Sequence, residues 1–340
     1  MSKLSRTKKI FFPVIVTIVL IIFSFGIVEI GLRFIYDKIE IRGGYWGNGS
    51  FIPNEQTGYM HKPSYEGYVF RKNAFKTFIR INSEGLRDSH LEEQMAYSKK
   101  VLILGDSFAF GLGVEGKKIF PYLLQKKMNA HDIGVINAAQ SGYSVEQECL
   151  FGITLQKKYS PVLIILALFA ENDVRGDFFK EYKNVEVKYG TLLKKDRVFK
   201  NPISDFFRTH SYLWILIESG INRRKKNEKF TWFKSKANKS TESVLKPTLK
   251  SLSRMNQYCK TNNALFSVMM IPPKRGRTVF DERIKKFLMS ENIPFLNITS
   301  LKKRVHYLKK DGHWNDKGHK KSSDMLYNFI IKLLQKPNKP

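Results

Sequence analysis

The chain is short of acidic residues and of cysteine. Its 340 residues include 30 Asp or Glu against 59 Lys or Arg, a formal net charge of +29. A field of that sign favours anionic partners such as nucleic acid, acidic glycans or phospholipid head groups; the plain alternative is a lysine-rich solvated surface. None of the usual nucleic-acid modules is written in the sequence, so no nucleic-acid partner is expected. The two cysteines, Cys149 and Cys259, stand far apart and in no spacing that implies a metal or redox site. The sequence leaves open whether they are bridged or are two buried thiols. Internal repeats and low-complexity tracts are absent. Apolar content of 42% and aromatic content of 13% belong to a folded chain, and the length allows one large α/β domain or two modest ones.

Long hydrophobic runs are also scarce, with one exception. Lys3, Arg6, Lys8 and Lys9 precede Ile10–Val28, nineteen residues without a charge. At about 1.5 Å per residue such a helix covers roughly 28 Å, close to the hydrocarbon thickness of a bilayer. The run leads straight into Glu29-Ile30-Gly31-Leu32-Arg33-Phe34 with no A-x-A cleavage pattern, as expected of an uncleaved anchor. The basic start implies a cytoplasmic N-terminus with the remainder extracytoplasmic. The expected organisation is a basic tail over 1–9, a transmembrane anchor over 10–30, a stalk and β-rich lead-in over 31–98, and a main domain over 99–335. A strand is expected over Phe75–Asn82 within the lead-in.

From Lys100 the pattern alternates. Strands are expected at Val101–Leu104, Gly134–Ala138, Val162–Phe169, Leu265–Ile271 and Pro294–Ile298, with helices near Ile119–Met128, Val145–Lys158 and Lys317–Leu334. Strands that are apolar throughout belong to a parallel sheet covered on both faces, hence a three-layer α/β/α sandwich. An insertion around 176–245 breaks the rhythm. It carries an amphipathic helix over Asp205–Ile221 and a basic run, Arg223-Arg224-Lys225-Lys226 with Lys234, Lys236 and Lys239. It is expected over the carboxyl edge of the sheet, where loops shape substrate access.

The segment KVLILGDSFAFGLGV (Lys100–Val114) is a buried strand that stops at Gly105-Asp106-Ser107. It delivers a serine hydroxyl to the carboxyl edge, where open α/β sheets keep their active sites. A serine needs a base and a carboxylate to orient that base. Asp311-Gly312-His313-Trp314-Asn315 supplies both within one stretch. Donors for an oxyanion are available at the Ser107 N–H, at Gly142 after the second strand and at the Asn172 amide after the third. In isolation, Gly142 is an ordinary turn glycine and Asn172 a helix cap. His319 is a rival base, and Asp311, His313 and His319 form a rival metal set, although a metal leaves the Gly-Asp-Ser strand end unexplained.

Taken together, GDSF at Ser107, Gly142, Asn172-Asp173 and DGHWN at His313 resemble, in order and approximate spacing, the SGNH (GDSL-type) hydrolase family. The resemblance runs from about Lys100 to the C-terminus. It implies a flavodoxin-like sandwich and serine ester hydrolysis with no metal and no cofactor. Ser107 would be the nucleophile, His313 and Asp311 the rest of the triad, and Ser107, Gly142 and Asn172 the oxyanion hole. The chain departs from the family pattern at Ala170, commonly Gly, and in the one-residue spacing of Asp311 and His313, commonly two. The Asp-x-His-Trp form resembles membrane-associated members acting on exported polysaccharides. The function this implies is a membrane-anchored esterase acting on an acyl ester, acetyl among the candidates, of an envelope glycan or lipid. An O-acyltransferase of an exported polysaccharide is the alternative, and a binding protein on the same fold comes third. In that third reading Lys309, Lys310, Lys317, Lys320 and Lys321, which flank His313, give the pocket a positive rim for an anionic glycan or lipid, and they allow an anionic substrate in the first.

Overall fold

The structure is a computed structural model that describes residues 3–35, 45–47, 49–87, 91–196, 200–274 and 278–335. The side chains of Lys3, Arg6, Lys8 and Lys9, the pair Gly43-Gly44, and the side chains of Arg223–Lys226, Lys234 and Lys239 lie outside the described residues. Two compact units are present, one formed by 1–45 with 197–227, the other by 46–196 with 228–340.

The larger unit is built on a five-stranded parallel sheet. Ahead of it come two antiparallel pairs, β1 (Phe51–Asn54) with β2 (Gly58–His61) and β3 (Glu66–Arg71) with β4 (Phe75–Arg80). The sheet follows with β5 (Lys99–Gly105), β6 (Ile133–Asn137) and β7 (Leu163–Leu168). A third antiparallel pair, β8 (Val185–Lys188) and β9 (Thr191–Lys194), precedes the last two sheet strands, β10 (Leu265–Met270) and β11 (Phe295–Asn297). The spatial order is β11-β10-β7-β5-β6. By rank along the chain this is fifth, fourth, third, first, second, the flavodoxin-like order, and the winding reverses between β5 and β7.

The strands form where they do because they are apolar on both faces. Even-numbered Leu102, Leu104, Ile136, Ile164, Leu166, Val268 and Met270 join one core with the helices Val145–Tyr159, Thr241–Thr261 and Val279–Ser290. The period of two sends Val101, Ile103, Val135, Ile165 and Met269, all buried, to the other face. The helices Phe120–Met128 and Asp316–Leu334, which pack on each other, cover that side. The three-layer sandwich expected from the alternating pattern is therefore present, with strand ends within about two residues of expectation. Helices over 241–261 and 279–290 were not expected. Pro247 inside the first of them obscures a helical pattern that its neighbours' packing sustains. Cys149 and Cys259 are both free and buried.

The insertion differs from expectation. Instead of one helix over Asp205–Ile221 there are two, Pro202–His210 and Tyr212–Lys239. They break at Ser211, whose extended backbone and side-chain oxygen cap the second, accepting from Trp214 N–H at 3.1 Å. Segment 197–227 groups with the N-terminal helix Lys3–Ile35 rather than with the sheet. That helix is apolar over Phe11–Ile35, long enough to cross a membrane, and the side chains from Phe11 to Val28 are exposed.

Candidate active site

β5 ends at Gly105, and Asp106 caps the single turn Ser107–Phe110 by accepting the Phe108 N–H on Oδ1 at 2.8 Å. Gly111, left-handed at φ 81°, closes that turn with bonds to the Ser107 and Phe108 carbonyls. Ser107 thus stands just past the carboxyl end of β5, beside the point where the winding reverses. Open sheets place ligands in that crevice.

Ser107 Oγ lies 2.7 Å from His313 Nε2. Asp311 Oδ1 accepts from the backbone N–H of His313 at 2.8 Å and also meets His313 Nδ1, while Asp311 Oδ2 accepts from Arg71 Nη1. The one-residue Asp-x-His spacing is what lets a single oxygen take both the backbone and the ring N–H of the histidine. Burial acts to raise the Asp311 pKa. The His313 hydrogen bonds and the Arg71 charge outweigh it and hold the carboxyl well below the usual carboxylate range. The rest of DGHWN anchors the loop. Trp314 is fully buried, with ring contacts to Phe108 at 5.3 Å and Phe120 at 6.3 Å. Asn315 caps the last helix by accepting the Gly318 N–H at 3.0 Å. Gly318 has no room for a side chain, since a Cβ would stand 2.3 Å from the His306 carbonyl oxygen.

Gly142, itself exposed in an otherwise buried turn after β6, has φ 86°, a conformation that glycine adopts without strain. Asn172, in the first turn of the helix Ala170–Phe179, donates from Nδ2 to Asp106 Oδ2 at 2.9 Å. One amide hydrogen is used there, and the second remains. His319 is placed elsewhere: its Nδ1 accepts the Phe120 N–H at 3.2 Å, its ring stacks on Phe120, and burial pushes its pKa down to about 3. A neutral imidazole with that nitrogen engaged is a structural group, neither a second base nor a ligand to join Asp311 and His313.

Two supports of the site had no sequence signal. The β1–β2 pair holds the Gly142 turn: His61 N–H donates to Gln140 Oε1 at 2.8 Å, Ser141 N–H to His61 Nε2 at 3.2 Å, and Gln140 Nε2 to Gly85 O at 2.9 Å. Buried Arg87 clamps the Ser107 turn through the carbonyls of Phe110, Gly111 and Val114. Arg71 was missed as well, although it touches Asp311.

Behind Ser107 four carboxyls are buried, Asp106, Glu148, Asp173 and Asp177. Burial first, and then their mutual repulsion, pushes Glu148 and Asp173 well above the usual range. Asp177, bonded by Thr248 Oγ1 at 2.6 Å and Glu146 N–H at 2.8 Å, is raised by burial to about 6. The folded state therefore binds the Asp177 proton more tightly than the unfolded state does. That contribution is present at low pH and is lost as pH rises through about 6. Relative to Asp177→Asn, which stays neutral, the native protein should lose about 2 kcal/mol of stability between roughly pH 4.5 and 7.5. Paired thermal melts at the two pH values check this. A gap that does not change with pH means that Asp177 titrates normally.

No protein-family model matches the chain, and no curated protein matches it. Solved structures do align. A psychrotrophic esterase from Pseudoalteromonas is 19% identical, with 70% of this chain and all of that one covered, at a TM-score of 0.45. A family 3 carbohydrate esterase from Clostridium thermocellum is 12% identical, covering 70% and 97%, at 0.42. A GDSL-like lipase from Bacteroides thetaiotaomicron is 14% identical, covering 72% and 95%, at 0.37. These similarities are too distant to carry function.

Proposed function

We propose that the chain is a membrane-anchored serine esterase with Ser107 as nucleophile, His313 as base and Asp311 as the group that orients the base. The observation that carries this is the 2.7 Å contact between Ser107 Oγ and His313 Nε2, with Asp311 on the other ring nitrogen. Asp311 keeps the proton on Nδ1, which leaves the Nε2 lone pair to accept from the serine. Ser107 Oγ attacks the ester carbonyl as its proton passes to His313. The negative charge that develops on the carbonyl oxygen is met by the Ser107 and Gly142 N–H groups and the free amide hydrogen of Asn172. His313 returns the proton to the departing alcohol, and a water activated by His313 releases the acyl group from Ser107. No step calls for a metal or a cofactor.

The cleft that borders Asp311 supports a substrate class. It has a volume of about 450 Å³ and carries Arg71, Lys274, Lys303, Lys309 and Lys310 against Glu171 and Asp311. An open, cationic cleft suits a short acyl ester on a polar, anionic sugar better than a long acyl chain, which needs a deep apolar tunnel. The N-terminal helix serves as the membrane anchor in this reading, with the catalytic unit on the extracytoplasmic side. Purified full-length protein should hydrolyse p-nitrophenyl acetate and release acetate from an O-acetylated uronic-acid polysaccharide, with little turnover of p-nitrophenyl palmitate. Preference for palmitate would overturn the substrate class, and failure to hydrolyse any ester would overturn the esterase assignment.

A further inference from the structure

The helix Pro202–His210 and the apolar start, Tyr212–Ile221, of the helix Tyr212–Lys239 turn most of their large apolar side chains outward, Ile215 excepted. Ser204, Asp205, Arg208, Thr209 and Glu218 are buried, while Ile203 (70%), Phe206 (53%), Phe207 (41%), Leu216 (45%) and Ile217 (51%) are exposed. Arg208 lies between the two helices and holds both carboxylates: its Nε donates to Glu218 Oε2 at 2.6 Å, and its other nitrogens reach Glu218 Oε1 and Asp205 Oδ1. In water this polarity is reversed, since charges pay for desolvation while two phenylalanines and three aliphatic side chains stay wet. Against lipid it is the expected one, with ionisable groups paired inside and apolar groups facing the acyl chains.

The second observation is how this pair is fastened. Glu29, inside the apolar helix Phe11–Ile35, accepts from Ser211 Oγ at 2.9 Å, Tyr212 N–H at 2.9 Å and Leu213 N–H at 3.0 Å. Arg33 completes the junction, donating to Glu29 Oε1 at 3.0 Å and to the His210 carbonyl at 2.9 Å. A glutamate is costly within an apolar helix unless it is paired, as Glu29 is with Arg33. Here it caps the start of one helix of the pair, so the turn between the two helices is fixed at the level of the last turns of the long helix. That continuity identifies what covers the exposed face.

We infer that residues 202–221 form a hairpin seated in the bilayer leaflet that holds the Glu29 end of the span, with Phe206, Phe207, Leu216 and Ile217 against lipid. The chain is then held by two membrane elements, and the insertion is part of the anchor. The inference rests on the N-terminal helix being retained as a span. The test uses the full chain in phosphatidylethanolamine–phosphatidylglycerol nanodiscs. An environment-sensitive fluorophore is attached at Phe206→Cys, at Ile217→Cys and, as an exposed control, at Lys250→Cys. At the first two positions doxyl-lipid quenching should exceed that at the control several-fold, and iodide quenching should be several-fold weaker. Iodide quenching as free as at the control overturns the hairpin. Shielding from iodide without lipid quenching also overturns it, since a second copy or another protein then covers the face. Should a labelled variant fail to fold, brominated-lipid quenching of Trp214 fluorescence, taken as native minus Trp214→Phe, gives the same reading, and no Trp214 quenching counts against the inference. The intact mass of the membrane-bound chain tests the span separately: loss of the N-terminal segment sinks the anchor and the hairpin with it, whereas an intact chain without lipid quenching sinks the hairpin alone.

Discussion

Ser107→Ala should lower p-nitrophenyl acetate hydrolysis by about 10⁴- to 10⁶-fold while leaving the melting temperature close to native. The substitution removes one oxygen from a nearly buried site and leaves the packing of the turn intact, because the capping bonds there come from Asp106 and Gly111. His313→Ala should cost a similar factor, and the double variant little more, because nucleophile and base act as one unit. A Ser107→Ala protein that keeps a tenth of native activity would leave the turnover to another group, and the site proposed here would not be the active one.

Asp311→Asn should cost about 10⁴-fold in kcat with little change in KM. Asp311 Oδ1 accepts both the backbone and the ring N–H of His313. An amide that keeps its oxygen on His313 turns its NH2 on Arg71 Nη1, donor against donor; turned to give Arg71 the oxygen, it presents N–H to His313 Nδ1 and shifts the proton to Nε2, where it faces Ser107 Oγ as a donor and can no longer take the serine proton. The neutral amide also loses the charge that Arg71 faces on Oδ2. Arg71→Gln should therefore act in the same direction with a smaller loss, since His313 keeps its carboxylate. An Asp311→Asn variant within tenfold of native kcat would show that the one-residue Asp-x-His spacing does not do the orienting.

How much of this was legible depended on where the information lies. Four of the five sheet strands stand out because strands buried on both faces are largely apolar, and Ser107 and His313 stand out because each sits in a short motif whose chemistry is local. Arg71 does not, since it meets Asp311 across 240 positions from the end of a half-exposed strand. Nothing in Glu66–Arg71 marks it. The same holds for His61, Gln140 and Arg87, whose polar side chains act through backbone groups of turns that only the folded chain assembles. The insertion shows a different limit. Its helical period was readable, but a helical period is the same whether the apolar stripe faces a protein core or lipid. Only the burial of Arg208 between Asp205 and Glu218, with Phe206 and Ile217 outside, distinguishes the two. The break at Ser211 was readable in principle, as a serine just before an apolar run.

Fluorophosphonate labelling of the full-length protein, mapped by peptide mass spectrometry, tests the nucleophile most directly. A resting serine hydroxyl attacks the phosphorus and expels fluoride only slowly, so labelling reports a serine activated by its base. The predicted result is a single adduct on Ser107, abolished in Ser107→Ala and strongly slowed in His313→Ala and Asp311→Asn. An unlabelled Ser107 in folded protein, or an adduct carried by a different serine, contradicts the proposal.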